Sequence, residues 1–462
     1  MSAHVLTLGC ARNEVDSEEL AARLVADGYQ MVTDPADAEV VLVNTCGFIE
    51  AAKKDSIDAL LEVADLKGDG RRTQRVIAVG CMAQRYGAEL AAELPELDAV
   101  LGFDDYAGIG AQVRRVLAGE RVAAPVTGDR RLRQAARPQG ASPADLIAPE
   151  TMPVTLGGPN RWRLRLDDAP YAPLRIATGC DRRCAFCAIP SFRGLYLSRD
   201  PAEVVAEAQW LASSGVREVM LVSENSSSYG KDRHESQALE RLLARLGQVD
   251  GLEWLRVSYL QPAEVRPQLI EAMCTLPKVV PYFDLSFQHA SASVLRRMRR
   301  FGDGESFLGL VEQIRSYRPE AGLRTNFIVG FPGETDDDLT ALHGFMAEAA
   351  FDAVGVFGFS AEDGTEAAGL DGQLSASEID DRLRVTSELA EWLTNARAEQ
   401  RVGERVRLLL ESTTGVGRAA HQGPEVDGAT TLTGDGPFAV GDMVWAEVIG
   451  CDGIDLVARA VG

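Results

Sequence analysis

This sequence has no long apolar run and has fewer basic than acidic residues. No run of 18 apolar residues occurs among its 462 residues, so no segment is expected to span a membrane. Residues 1–5 lead straight into a strand-like segment and have neither the basic region nor the apolar stretch of a signal peptide. The sequence therefore predicts a cytoplasmic protein without a membrane partner.

Basic residues are outnumbered by acidic ones. Lysine and arginine together number 47, against 69 aspartates and glutamates, and the net charge is −22. Nucleic-acid binding depends on cations that neutralise phosphates, so this balance argues against a large phosphate-binding face. It suits a strongly basic protein partner. An acidic surface that serves only solubility is the alternative interpretation.

Cysteine is also scarce, but six of the eight cysteines fall into two groups of three. In a reducing compartment disulfides are not expected. The first group, which we name the compact triad, is Cys180, Cys184 and Cys187, in a C-x3-C-x2-C run after a strand-like segment. Three thiolates on one loop can hold a four-iron cluster with one iron left open. A zinc knuckle would need a fourth ligand nearby, and none of the five histidines supplies one.

The second group, the dispersed triad, is Cys10, Cys46 and Cys81, each at the end of a predicted strand. Parallel strands end at one edge of a sheet, where ligand crevices form, so the three thiols are expected to converge on a second cluster. Gly9 and Gly80 precede two of them and permit tight turns. Three buried structural cysteines are the alternative. That structural role is expected instead for the two remaining cysteines, Cys274 and Cys451.

The order of segments predicts an α/β protein of several domains. Residues 1–120 alternate between short apolar runs and helix-like stretches, which is typical of a parallel sheet with helices on its faces. Residues 121–165 are rich in proline and glycine and are interpreted as a linker, with a short strand at 152–156. The basic run at 130–133 is interpreted as solvated linker rather than as a nucleic-acid site.

The remaining chain predicts two barrels. Residues 166–397 contain six strand–helix units, which indicate an incomplete (β/α)6 barrel. Residues 398–462 contain five short strands, which indicate a small antiparallel β-barrel of the oligonucleotide-binding type. One helix start is marked by Asp200 as N-cap with Pro201 next. The six strands of the first barrel are expected at residues 174–177, 218–222, 254–258, 282–286, 325–329 and 353–357.

The compact triad, placed after the first barrel strand, resembles the radical S-adenosylmethionine (SAM) superfamily. Residues 328–334, Ile-Val-Gly-Phe-Pro-Gly-Glu, are similar to its fifth-strand segment beside the adenine, which implies roles for Gly330 and Glu334. The same resemblance implies SAM contacts for one residue next to the cluster and for three residues that follow the second strand. These are Phe186, Ser223, Glu224 and Asn225.

Two cysteine triads followed by a small barrel resemble the methylthiotransferases, whose terminal barrel is a TRAM domain. Residues 9–18, 44–50, 288–291 and 351–357 are similar to the branch that modifies small-subunit ribosomal protein twelve. This implies addition of a methylthio group to the β-carbon of an aspartate, with two SAM molecules and two 4Fe-4S clusters. It also implies a low-potential electron donor, either flavodoxin or ferredoxin.

Two rival functions remain at this stage. The first is the branch of the family that modifies a tRNA adenosine; the second is an iron–sulfur scaffold without enzymatic activity. From residue 401 onward five arginines stand against nine acidic residues, which disfavours RNA as a partner and is expected to attract a basic protein. Residues 197–199, Leu-Ser-Arg, and residues 223–225, Ser-Glu-Asn, differ from the residues usual in the family. These differences bear on which residues contact SAM and not on the cluster. The nine acids are Glu404, Glu411, Glu425, Asp427, Asp435, Asp442, Glu447, Asp452 and Asp455.

Overall fold

The computed structural model describes residues 1–68, 70–125, 128–135, 163–424, 426–434 and 436–461. Most of the expected linker, its strand at 152–156, and the acids Glu425 and Asp435 lie outside these residues. The chain forms two compact units. The predicted division at residues 120, 165 and 397 does not coincide with these units and stays a prediction. The smaller unit comprises Met1–Asp168, Thr178–Arg182 and Cys187–Arg199, and the larger comprises Ala169–Ala177, Arg183–Phe186 and Asp200–Gly462.

The smaller unit contains a five-stranded parallel sheet with the order β2-β1-β3-β4-β5. Its strands are β1 (Ser2–Thr7), β2 (Gln30–Met31), β3 (Val40–Thr45), β4 (Arg75–Val79) and β5 (Ala99–Val100). Its helices are α1 (Ala11–Ala26), α2 (Glu50–Ala64), α3 (Gly80–Glu93), α4 (Ile109–Leu117), α5 (Arg130–Ala135) and α6 (Ile189–Arg193).

The central strand β3 shows why the sheet is covered on both faces. All six of its residues are buried, as expected for a parallel strand between two layers of helices. Val40 and Leu42 belong to one hydrophobic core, while Val41 and Val43 belong to another. The parallel α/β fold expected for this part of the chain is confirmed.

The larger unit contains six parallel strands in two groups, β10-β9-β6 and β11-β12-β13. An isolated bridge between Leu260 and Leu285 connects the groups, and the expected incomplete barrel is confirmed. The first strand begins three residues earlier than expected. The strands are β6 (Tyr171–Arg175), β9 (Glu218–Val222), β10 (Trp254–Val257), β11 (Tyr282–Gln288), β12 (Gly322–Val329) and β13 (Ala353–Gly358). Two short strands flank the cysteine loop in sequence, β7 (Ala177–Thr178) and β8 (Leu197–Ser198).

Helices alternate with these strands. The predicted cap is confirmed, because the Asp200 carboxylate accepts a bond from the Ala202 amide at 2.7 Å and Pro201 begins the helix. No helix of the described residues is long and apolar enough to cross a membrane. The helices are α7 (Pro201–Ser213), α8 (Ala238–Leu246), α9 (Pro267–Thr275), α10 (Ala292–Arg297), α11 (Gly304–Tyr317), α12 (Asp336–Ala349) and α13 (Ala376–Gln400).

The last segment closes into a five-stranded barrel with the order β14-β15-β16-β18-β17. The sequence predicts an antiparallel barrel, but the β16–β18 pair is parallel. The reason is that strands of alternating direction cannot close a ring of five without one parallel pair. The strands are β14 (Arg405–Leu410), β15 (Val416–Ala419), β16 (Thr430–Thr433), β17 (Met443–Asp452) and β18 (Asp455–Ala460).

Buried ion pairs fix this small barrel to the six-stranded sheet. The Glu218 carboxylate, at the start of β9, binds Arg256 at 2.6 Å and Arg418 of β15 at 2.7 Å. All three side chains are almost completely buried. Burial acts to raise the pKa of Glu218, but the two guanidinium groups outweigh it and the pKa is lowered.

Candidate functional site

The dispersed triad lies at the carboxyl edge of the smaller sheet. Cys10 follows β1 and Cys46 follows β3, while Cys81 is the second residue of α3 and comes directly after β4. These three strands are neighbours and run in parallel, so the sheet brings together cysteines that are far apart in sequence. The expected placement of the three thiols on one edge is thereby found in the structure.

Two glycines bring the backbone close to these thiols. Gly9 has a φ of +95°, and a Cβ at this position would lie 3.0 Å from Cys46 Cβ and 3.2 Å from Cys46 Sγ. Gly80 has a φ of +92°, and a Cβ there would lie 2.2 Å from the Asn44 side-chain oxygen. Only glycine fits both the space and the backbone angle at these two turns.

Two arginines that sequence reasoning missed contact the dispersed triad. Arg12 Nε donates to Cys10 Sγ at 3.4 Å, and Arg193 Nη2 donates to Cys81 Sγ at 3.1 Å. Arg12 lies within the motif at residues 9–18 and only two residues from Cys10, so the sequence could have indicated its contact with that thiol. Arg193 lies 112 residues from Cys81, and no spacing in the sequence connects the two.

Burial and these cations act in opposite directions on the thiols. Burial raises the pKa of Cys81 to about 12, with Arg193 opposing the shift. Burial likewise raises the pKa of Cys46. At Cys10 burial acts in the same sense, but Arg12 and its hydrogen bond outweigh it, so the pKa of that thiol is lowered. The dispersed triad is therefore electrostatically asymmetric.

The compact triad lies on a half-buried loop. In the larger unit the Ala185 amide donates to the Met298 carbonyl at 3.1 Å, and the Ala185 carbonyl accepts from the Ala367 amide at 2.8 Å. Arg300 lies 3.8 Å from Cys184 Sγ and also donates to the Ser286 carbonyl. In the smaller unit the Cys180 amide donates to the Gly194 carbonyl at 3.1 Å.

Neither triad converges on a single point. Within the described residues, no group of three His, Cys, Asp or Glu side chains is arranged to hold one metal ion. A four-iron cluster places its three cysteine ligands on three different irons, so such ligands need not meet at one centre. Three cysteines and no fourth protein ligand fit a cluster with one open iron, in both triads.

One candidate SAM contact, Phe186, packs against an apolar cluster that includes the neighbour of a second candidate, Gly330. Phe186 packs against the cluster that contains Phe331, the residue after Gly330. Gly330 has a φ of +75°, and a Cβ there would lie 2.7 Å from Ile379. Phe186 and the residue after Gly330 therefore pack on the same apolar cluster, and their contact with adenine stays a prediction.

Glu334 is buried beneath that turn. Its carboxylate accepts bonds from the Gly330 amide at 3.0 Å and from Arg382 at 2.6 Å, and His289 lies 3.4 Å away. Burial acts to raise the pKa of Glu334, but His289 and these hydrogen bonds outweigh it and lower the pKa. The carboxylate holds the turn in place, which is a supporting role for the expected SAM site.

The other candidates form a tight turn after β9. Ser223 Oγ lies 3.3 Å from Ser226 Oγ, and Asn225 Nδ2 donates to Ser228 Oγ at 2.8 Å and to Glu264 at 3.2 Å. Asn225 is 1% exposed, and its Oδ1 has no hydrogen-bond partner among the described residues. A buried acceptor without a partner is costly, so this oxygen suits a ligand that donates a hydrogen bond. Glu224 lies between these two residues in the same turn.

Comparison with known proteins gives three family matches along the chain. Residues 2–102 match the uncharacterized protein family UPF0004, residues 174–346 match the radical SAM superfamily, and residues 402–461 match the TRAM domain. Among curated relatives, ribosomal protein uS12 methylthiotransferase RimO of Cutibacterium acnes is 57% identical and the match covers 99% of this chain and 98% of that protein.

The chain belongs to the RimO family of methylthiotransferases. RimO of Nocardioides sp. is likewise 57% identical, over 99% of this chain and 97% of that protein. RimO of Streptomyces griseus is 55% identical, over 98% of this chain and 97% of that protein. The resemblance inferred from the sequence motifs is confirmed. The match of residues 402–461 to the TRAM domain agrees with the small terminal barrel.

One solved structure supports the fold. The radical S-adenosylmethionine methyltransferase TsrM from Kitasatospora setae, with cobalamin and a [4Fe-4S] cluster bound, matches with a TM-score of 0.53. The two chains are 15% identical, and the match covers 77% of this chain and 74% of TsrM. At this identity the likeness concerns the fold alone. It accords with the α/β architecture of a RimO family member.

Proposed function

We propose that this protein is a radical SAM methylthiotransferase that adds a methylthio group to the β-carbon of an aspartate in ribosomal protein uS12. The placement of Cys10, Cys46 and Cys81 at one sheet edge carries the proposal, because three thiols there are suited to hold a second cluster in addition to that of the C-x3-C-x2-C loop. The relatives named RimO support the same activity and substrate. Cys180, Cys184 and Cys187 are assigned to the cluster that meets SAM.

The choice of cofactors follows from the bond to be broken. The β-carbon C–H bond of an aspartate is too weakly acidic for a side-chain base to remove its proton at a useful rate. Two 4Fe-4S clusters and SAM, when bound, supply the radical and sulfur chemistry that side chains lack. The work of this chain is to hold those groups and the aspartate in contact geometry and to exclude water.

Named residues would perform the positioning. Asn225 Oδ1, buried without a partner, would accept a hydrogen bond from the SAM ammonium group, with Ser223 and Glu224 shaping the turn. Phe186 and the Gly330 turn would cover the adenine, and Glu334 would keep that turn in place. Cys10, whose thiol pKa is lowered beside Arg12, is the most readily ionised ligand of the dispersed triad.

The partners follow from the same proposal. A low-potential carrier, flavodoxin or ferredoxin, would supply electrons, and uS12 would be the protein substrate. The protein is proposed to act in the cytoplasm, where uS12 is made. The acidic terminal barrel remains a poor match for tRNA, although three of its acids are engaged in ion pairs. Glu404, Glu411 and Asp427 pair with Arg401, Arg418 and Arg324 inside the larger unit.

Mass spectrometry of uS12 tests the proposal. Reconstituted protein, SAM, a chemical reductant and purified uS12 or small subunits should yield methylthio-aspartate, which reaction mixtures without SAM should lack. The same mixtures supplied with total tRNA should yield no methylthiolated adenosine. Modified tRNA with unmodified uS12 would refute the proposed substrate and support the tRNA branch instead.

A further inference from the structure

The segment that follows the compact triad carries a buried cation into the dispersed triad. Arg193 ends α6, six residues after Cys187, and is 3% exposed. Besides Cys81 Sγ at 3.1 Å, its Nη2 contacts Asp16 Oδ2 at 2.9 Å and Asn13 Oδ1 at 3.1 Å. All of these residues belong to the smaller unit.

An aromatic ring fixes the guanidinium group on another side. The Arg193 guanidinium carbon lies 4.4 Å from the ring centroid of Phe103, which is fully buried. Phe103 is itself held edge-to-face by Tyr106, with ring centroids 5.4 Å apart. A planar cation that stacks on a ring while donating hydrogen bonds is specific to arginine, because lysine offers no plane.

Asn13 extends the network to the backbone of the sheet edge. Its Nδ2 donates to the Leu8 carbonyl at 2.8 Å, which fixes the direction of the amide. Its Oδ1 then faces Arg193 and lies 3.6 Å from Cys81 Sγ. Arg193, whose own position is fixed by Asn13, Asp16 and Phe103, donates to the Cys81 sulfur, and this bond can persist when Cys81 is a thiolate ligand, whereas the contact with Asn13 Oδ1 needs the protonated thiol.

We propose that Arg193 is a positioning residue of the dispersed triad, which directs the Cys81 sulfur and places a positive charge beside the cluster held there. This inference rests on the proposed function, because it concerns the cluster assigned to Cys10, Cys46 and Cys81. Hydrogen bonds to cluster sulfurs and nearby positive charge favour the reduced, more negative state. Arg193 therefore raises the reduction potential of that cluster, and Asp16 partly offsets the effect.

The position of Arg193 also connects the two triads through one segment. Gly194, the next residue, has a φ of +89° and accepts the Cys180 amide at 3.1 Å through its carbonyl. Residues 193 and 194 thus contact one cysteine of each triad. A change in the dispersed triad that moves Arg193 would reach the backbone of the compact triad directly.

A redox titration of the dispersed triad alone tests the inference. Full-length protein with Cys180, Cys184 and Cys187 changed to Ala leaves only the dispersed triad to hold iron, and electron paramagnetic resonance then reports its midpoint potential. On this background Arg193→Gln should shift the potential to more negative values and Asp16→Asn to more positive values. Arg193→Lys, which keeps the charge, should lie between Arg193→Gln and the unmodified background.

The outcomes separate this inference from the proposed function. Equal potentials for Arg193→Gln and its background, or shifts of the same sign for Arg193→Gln and Asp16→Asn, would overturn it. If Arg193→Gln loses iron instead, the chain with all six cysteines decides: loss of half the iron with reductive SAM cleavage retained supports positioning, and loss of all iron overturns it. A background without iron would refute the ligand assignment itself, and this inference with it.

Discussion

The dispersed and compact triads each offer three thiols, but different levels of structure hold them. The dispersed cysteines follow three strands, so their proximity depends on the register of the whole sheet and on Gly9 and Gly80. The compact cysteines lie within eight residues, and their loop is fastened by bonds at Ala185 and Cys180. One triad is a product of tertiary folding, and the other is mainly a product of local sequence.

The difference has an energetic consequence. Closing the two long loops between the three cysteines costs chain entropy that only the folded sheet repays, so the dispersed triad should bind iron only after the smaller unit has folded. A local loop needs less prior structure to surround a cluster. Arginines donate to thiols of both triads, Arg12 and Arg193 in the dispersed triad and Arg300 to Cys184 at 3.8 Å in the compact triad.

Replacing each triad separately should produce the largest effects. Changing Cys180, Cys184 and Cys187 to Ala should abolish both SAM cleavage and uS12 modification, because the cluster assigned to SAM cleavage would be lost. Changing Cys10, Cys46 and Cys81 to Ala should abolish modification but leave reductive SAM cleavage. Iron content and the cleavage product are the measurements. The double change Cys274→Ala and Cys451→Ala is the control and should keep all iron. Full iron content in either triple variant would contradict the assignment of one cluster to each triad.

Glu218→Gln should be the largest single-residue effect, and it falls on the larger unit, which contains Cys184 of the compact triad. The change leaves Arg256 and Arg418 buried without their carboxylate, which should destabilise the larger unit by about 3–5 kcal/mol. Glu253→Gln, which removes the half-exposed partner of Arg407, is the matched control and should cost below about 1 kcal/mol. Tryptophan fluorescence during urea unfolding measures both, since Trp210, Trp254, Trp392 and Trp445 lie in this unit.

The pKa of Glu218 also predicts that the two units differ in stability at low pH. The folded pKa of Glu218 is lowered, so its stabilisation is complete above the unfolded carboxyl pKa of about 4.3 and is lost as pH falls through the folded pKa. In the smaller unit burial raises the pKa of Glu18, despite Arg163 and Arg165, so protonation there favours the folded state. The larger unit should therefore unfold first below about pH 4. Earlier loss of the smaller unit would contradict this assignment.

Gly80→Ala tests the dependence of the dispersed triad on its turns. A methyl group there meets the Asn44 side chain and the Thr45 carbonyl, and the φ of +92° is strained for alanine. We expect destabilisation of the smaller unit by about 2–4 kcal/mol and loss of its iron, with SAM cleavage retained. Gly68→Ala is the control, because its φ is +105° but the space is open, so only the strain remains. Normal iron content in Gly80→Ala would show that the turn tolerates a side chain.

The same contrast explains what could be predicted from sequence. The six strands of the barrel followed from short apolar runs that alternate with helix-like stretches, and the dispersed triad followed from cysteines at the ends of such runs, because strand period and strand ends are local signals. Arg193 was missed because its contacts with Cys81 and Asp16 exist only after α6 packs on the sheet edge. The parallel β16–β18 pair was missed because closure of the barrel is not a property of any one strand.

Terminal-barrel charge was predicted only in part, for a similar reason. Counting acids in the sequence gives a uniformly negative segment. In the structure Asp427 is 4% exposed, binds Arg324 at 3.0 Å and accepts a bond from Tyr282, so it cannot meet a partner. Which acids are neutralised depends on Arg401 after α13, Arg418 of β15 and Arg324 of β12, and only Arg324 lies far from its partner in the chain. The expected attraction of a basic protein therefore has fewer charges to draw on.

Substrate choice should give the smallest effect, because neither triad distinguishes one protein from another. Glu391 of α13, with Asp452 and Asp455 of the barrel, lines a cleft in the larger unit, and all three are exposed. Charges at such a rim mainly speed the encounter with an oppositely charged partner and are screened by salt. The double change Glu391→Lys and Asp452→Lys should therefore slow uS12 modification several-fold at low salt and approach the unmodified rate as salt rises. Glu312→Lys with Glu348→Lys makes the same change of net charge on the exposed faces of α11 and α12 and serves as the control.

SAM cleavage without uS12 should be equal in the unmodified protein and in both double variants. Equal slowing by both double variants would mean that net charge, not this cleft, governs the encounter, and no slowing by either would remove charge from substrate choice altogether.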